Sequence, residues 1–190
     1  MWRPDEAMAL VQLKYKGSSE IVGSDEVGLL LLTTLDESLQ LTIVCERDMI
    51  RQFILRESHQ VPTDRFLPEV LWHVISGLTE SQFQIIISSV HDGQYTVILY
   101  HNDSLMTVPV RASDAVLLSM VSHIPILIEE KLLKGQAVPY HHEAKGVPIP
   151  INVLSKEMLQ KALDRAIAEE NYEEASHLRD ELRRRNESAK

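Results

Sequence analysis

The chain has 190 residues, 44% of them hydrophobic, 25% charged and 5% aromatic, a composition that supports a packed core and excludes the disordered and fibrous classes. Its formal charge of −9 and single cysteine argue against a protein whose main work is gripping phosphate backbones, and leave no internal disulfide or Cys-built zinc site. The length allows one full domain plus a small appendage. The longest apolar stretch, Val27 to Leu35, falls short of the ~20 residues a bilayer span requires, and the N-terminus turns acidic at Asp5 and Glu6, unlike a secretory signal. The expectation is a cytoplasmic protein with no membrane contact.

In chain order, Ala7 to Tyr15 reads as a first strand, ended by Gly17-Ser18-Ser19. Val27 to Thr34 and Leu39 to Cys45 are β-rich runs joined by Asp36-Glu37-Ser38 as a hairpin. Two helical segments follow, Arg47 to Leu55 and Phe66 to Leu78, the second carrying Phe66, Val70, Val74 and Leu78 at helical spacing. Phe83 to Val90, Tyr95 to Tyr100 and Leu105 to Val110 form a meander through turns at Asp92-Gly93 and Asn102-Asp103-Ser104. A third helix over Ala112 to Val121 and a short strand, Ile124 to Ile128, complete an α+β domain whose mixed or antiparallel sheet packs with helices.

Past Lys134, glycines and prolines cluster among few large apolar residues. The chain therefore divides into an α+β domain over 1–134, a linker or arm over 135–154, and a helical tail over 155–190. The tail carries a charge of −1 and the remainder −8. Within the tail, Asn171 followed three residues later by Glu174 is a capping-box restart, so two helices should fold into a hairpin, Leu159, Leu163 and Ile167 facing Ala175, Leu178 and Leu182.

These tail residues, above all Tyr172-Glu173, Ala175 and Leu178-Arg179-Asp180, resemble the UVR motif shared by the B and C subunits of the bacterial excision nuclease. That motif is a helical hairpin pairing with another copy of itself. The resemblance implies that Leu159, Leu163, Tyr172, Ala175, Leu178 and Leu182 bind a protein partner, a second UVR-type hairpin or another protein, rather than supply chemistry.

In the main domain, His91-Asp92-Gly93 before an aromatic-led strand, the run Val110-Arg111-Ala112-Ser113-Asp114-Ala115 opening a helix, and Ile124-Pro125-Ile126 resemble the bifunctional nuclease domain, associated with DNase and RNase activity. The departures are Pro109-Val110 before Arg111, Ala112 after it, Val44-Cys45-Glu46-Arg47 in place of a Gly-Pro-Phe-Glu run, and Val61-Pro62-Thr63-Asp64-Arg65-Phe66 in place of an Arg-Pro-Leu-Thr-His-Asp loop. The resemblance implies phosphodiester hydrolysis in DNA or RNA, with a divalent cation such as Mg²⁺ or Mn²⁺ as the expected cofactor.

Arg111, Ser113 and Asp114 could together offer phosphate contact, a hydrogen bond and a carboxylate within one helical turn. The same three residues have a purely structural account, since Ser113 and Asp114 suit a helix's first turn and Arg111 can pair with Asp114. His91-Asp92-Gly93 and His101-Asn102-Asp103 read as turns, His73 beside Trp72 as packed or half-exposed, and His141-His142-Glu143 as a loop whose adjacent residues converge poorly on one ion. Three functions stay open: a nuclease recruited through its hairpin, in DNA repair or a stress response; a catalytically silent adaptor; and a small-molecule sensor. Nucleic-acid binding should be weak against so much acid, and the long apolar strands predict a homo-oligomer that covers a sheet edge or an apolar helix face.

Overall fold

The computed structural model describes residues 9–20, 27–78, 82–140, 154 and 156–188. Strands β1 (Leu10–Glu20), β2 (Val27–Thr34), β3 (Leu39–Glu46), β4 (Phe83–His91), β5 (Gln94–His101), β6 (Thr107–Val110), β7 (Ile126–Glu129) and β8 (Val138–Pro139) form one sheet in the spatial order β6-β5-β4-β7-β1-β2-β3-β8. All neighbours are antiparallel except β4 and β7, so the sheet is mixed. The exception has a topological cause. From the edge strand β6 the chain crosses back through α3 (Ala112–Ser122) and re-enters the sheet beside β4, and such a crossover delivers a parallel strand. The β4–β7 seam thus joins two meanders into one sheet.

One face of this sheet carries the main core. Leu30, Leu32, Leu41, Ile43, Ile85, Ile87, Ile126 and Ile128 are buried together with Ile50 and Phe53 of α1 (Arg47–Glu57) and Ala115, Val116 and Leu117 of α3. The close seat of α1 depends on Gly28, where an added Cβ would stand 2.4 Å from Ile50 Cγ1. The next helix, α2 (Leu67–Leu78), is tied to α1 by the buried Arg56, whose guanidinium donates from Nε and Nη2 to the two carboxylate oxygens of Glu69 at 2.8 and 2.9 Å. None of α2's own residues is buried.

Several boundaries differ from the sequence reading: β6 starts at Thr107 and not Leu105, β7 runs from Ile126 and not Ile124, and two other differences reshape the sheet. Gly17-Ser18-Ser19 does not end the first strand. A bulge between Tyr15 and Gly17 absorbs the irregularity, and β1 continues to Glu20 opposite Gly28. Gly135 lies in α4 (Glu130–Gln136), and Val138 and Pro139 pair with Gln40 and Leu39 of β3, so the sheet reaches into the segment that composition reads as linker. A two-residue strand has no periodicity of its own, and only its partner's free edge reveals it.

The tail forms two helices, α5 (Lys156–Ala168) and α6 (Tyr172–Ser188), after the α+β domain. The reversal between them is a Schellman turn: Glu170 takes a left-handed φ of 57°, Asn171 N–H donates to the Ala166 carbonyl at 2.8 Å and Glu170 N–H to Ile167 at 3.1 Å. Leu159, Ala166, Ala175 and Leu178 are buried where α5 meets α6, with Leu154, Leu163 and Leu182 packed beside them. Among the described residues, no helix is long and apolar enough to cross a membrane.

Candidate functional site

A cleft of about 360 Å³ opens where five segments meet. The start of β2 gives Val27, and the end of β3 gives Ile43, Val44, Cys45 and Glu46. The β4–β5 turn and the start of β5 give Asp92, Gly93, Gln94 and Tyr95. The first residues at α3 give Arg111, Ala112 and Ser113, and Met158 of α5 completes the wall. Each contribution follows from local structure. Asp92 and Gly93 both take positive φ, 50° and 75°, so the hairpin turn that the Asp-Gly dipeptide predicts is also what brings a carboxylate to the rim. Arg111 occupies the N-cap position of α3 in extended backbone with no side-chain cap bond, leaving its guanidinium free of that duty. The helix also presents its positive end there.

Arg111 is the hub of the charges. Its Nε donates to Asp114 Oδ2 at 2.6 Å and its Nη2 to Oδ1 at 3.3 Å, while Nη1 stands 3.6 Å from Glu46 Oε2. The Asp114 carboxylate holds the guanidinium above its ordinary pKa, with a smaller contribution from Glu46. Burial, with Glu46 adding to it, pushes the Cys45 thiol up to about 12, so with the cleft closed this cysteine is a protonated wall residue. Burial likewise raises Tyr95, whose hydroxyl is enclosed without a hydrogen-bond partner among the described residues.

The three residues singled out in sequence are therefore brought together, though not in equal roles. Arg111 and Ser113 line the cleft, whereas Asp114 turns back onto Arg111 and fixes it. Glu46, Asp92, Tyr95 and Met158 were not read as site residues. For Glu46 the signal lay in Val44-Cys45-Glu46-Arg47, which looked only like a departure from a family pattern yet supplies three lining residues. His101 serves its turn: Ser104 N–H donates to Nδ1 at 3.2 Å, the Ser104 hydroxyl lies 2.6 Å from the same atom, and the ring packs on Phe83 with 4.7 Å between centroids. His141-His142-Glu143 lies outside the described residues.

Among the described residues no three of His, Cys, Asp and Glu converge on one point as a protein-built metal cage requires, and the carboxylates lining the cleft are Glu46 and Asp92.

A family model described as the bifunctional nuclease domain matches residues 30–141, more than half of the chain, and a second, described as the UvrB/uvrC motif, matches residues 154–186. The chain belongs to the bifunctional nuclease domain family. The cleft is thus formed mainly by the bifunctional nuclease domain, with Met158 added from the UvrB/uvrC motif. No match to the chain is found among curated proteins.

Of the residues that the UVR resemblance marks for partner binding, Leu159, Ala175 and Leu178 are buried where α5 meets α6, Leu163 and Leu182 are half-buried beside them, and Tyr172 is exposed. The apolar stripe closes the hairpin on itself, leaving Tyr172 and Ile167 as exposed hydrophobic positions.

Proposed function

We propose that the cleft receives a phosphodiester of DNA or RNA and that Arg111 grips its non-bridging oxygens. Within that reading each neighbour has a role set by its place. Asp114 positions the guanidinium, and the Ser113 hydroxyl donates a hydrogen bond to the bound phosphate. Glu46, an exposed carboxylate beside Arg111, accepts the proton of the attacking water as its oxygen bonds to phosphorus; the P–O ester bond to the leaving sugar oxygen breaks, and that oxygen takes its proton from solvent. As negative charge builds on the phosphorus oxygens, the fixed guanidinium and the first-turn N–H groups of α3 oppose it without reorganising. The observation that carries the proposal is the Asp114–Arg111–Glu46 array at the mouth of a nucleotide-sized cleft in a bifunctional nuclease domain. No step is assigned to a metal. The hairpin's role in this reading is recruitment of a protein partner.

The test is cleavage of end-labelled single- and double-stranded DNA and RNA, with Mg²⁺, with Mn²⁺ and with chelator. Arg111→Ala should lower kcat/KM by roughly 10²–10³, the usual effect of deleting one preorganised donor to a developing oxyanion. Undiminished cleavage by Arg111→Ala would overturn the assignment. If no substrate is cut under any condition, the adaptor reading takes its place.

A further inference from the structure

The hairpin does more than follow the domain in sequence, because two of its residues reach the cleft. Met158, near the start of α5, forms part of the wall. Arg185, in the last turn of α6, donates from Nη1 to Asp92 Oδ1 at 3.1 Å, and Asp92 lines the cleft together with Glu46 and Arg111. The Arg185 side chain is only 12% exposed, a low value for an arginine. Its guanidinium is held on three sides, by Asp92, by the Leu154 carbonyl and, through Nε at 2.8 Å, by Glu181 Oε1.

We propose that the UVR-type hairpin is a lid over the cleft, latched by the Arg185–Asp92 pair, and that opening it regulates access of the substrate. This rests on the reading of the cleft as the functional site. The geometry makes the latch reversible. Glu181 and Leu154 lie on the tail side and travel with the lid, so opening gives up the bond to Asp92 while these two partners are kept. A side chain that keeps a carboxylate partner in both states avoids the cost of a stranded buried charge, which would otherwise lock the lid shut. Asp92 stays partly solvated, its side chain 44% exposed, and can rehydrate readily.

Cys45 gives a readout that needs no catalytic activity, since it is the chain's single cysteine, buried, and part of the cleft wall with Met158. Its rate of modification by a disulfide reagent at fixed pH should follow the open fraction of the lid. Arg185→Ala and Asp92→Asn should each raise that rate by up to about fivefold, the scale of losing one partly solvated ion pair. Asn is chosen because it tolerates the left-handed turn. Circular dichroism would reveal any variant whose hairpin has melted, and Asp92→Asn, which leaves the hairpin's sequence intact, then decides the matter. Equal labelling of the parent and Asp92→Asn proteins would refute the latch. Faster labelling without any nuclease activity would keep the lid and discard the nuclease reading; cleavage with unchanged labelling would do the reverse.

Discussion

Leu178→Ala probes whether the tail is held by its internal stripe. Leu178 is 2% exposed and sits where α5 packs on α6, in a cluster whose other buried members are Leu159, Ala166 and Ala175. Only two of these four side chains are large. At roughly 1.5–3 kcal/mol per fully buried leucine, the pair contributes about 3–6 kcal/mol, against a substantial entropy cost of ordering two helices. Truncating a buried leucine costs about 2–5 kcal/mol, which equals or exceeds what such a small core can spare. The hairpin should therefore melt in Leu178→Ala while the α+β domain persists, since its core around Leu30, Ile43, Phe53 and Ile126 shares no residue with the tail cluster. Hydrogen exchange read by mass spectrometry should show amides of 156–188 losing protection while those of 27–46 and 83–101 keep theirs. A melted hairpin also frees the cleft, so Cys45 should label faster in this variant. Retained protection across 156–188 would refute the reasoning, because it would mean that contacts outside the stripe hold the hairpin.

Three further outcomes are expected. Glu69→Gln strips Arg56 of its bidentate partner and leaves a guanidinium 7% exposed, so denaturant unfolding should show a loss of about 3–5 kcal/mol, most of it recovered when Arg56 is also replaced by Met. Lys14 and Lys16 hold Glu37 down to a pKa of about 2; a carboxylate depressed on folding stabilises above its unfolded pKa and loses that contribution as pH falls, so the stability gap between the parent and Glu37→Gln should close between about pH 5 and pH 2. The α2 positions Leu67, Leu71, Val74 and Leu78 are 50–80% exposed, uncharged and spaced four, three and four apart, the pattern of a seam between helices, so a second copy of the chain should pair there. Light scattering should then exceed 21.6 kDa at micromolar concentration, and Leu71→Lys should return it to that value.

Local chemistry made the sequence legible where it dictated structure by itself. The β-rich runs that become β2 and β3, the Asp92-Gly93 turn and the α3 start at Ala112 each follow from a handful of adjacent residues. The two tail helices with a reversal before Tyr172 are legible for the same reason, although the turn is closed by Glu170 in a left-handed conformation, which its side chain does not announce. Likewise Arg111 and Asp114, three apart at a helix start, could be paired on spacing alone.

What depended on distant pairing could not be read that way. The continuation of β1 past Gly17 required β2 as a template, the parallel placement of β7 required the crossover through α3, and β8 exists only because β3 offered it an edge. The cleft belongs to this second class. Glu46, Asp92, Arg111 and Met158 are separated by dozens of residues and carry no common motif, so only the register of β3 and β5, the seat of α3 and the docking of the hairpin bring them to one place. Hydrophobic period and turn chemistry act over a few residues and determine which elements form. The order of strands, the faces that are covered and the charges that meet across a gap are set by burying those elements against one another, and that free energy depends on every partner at once.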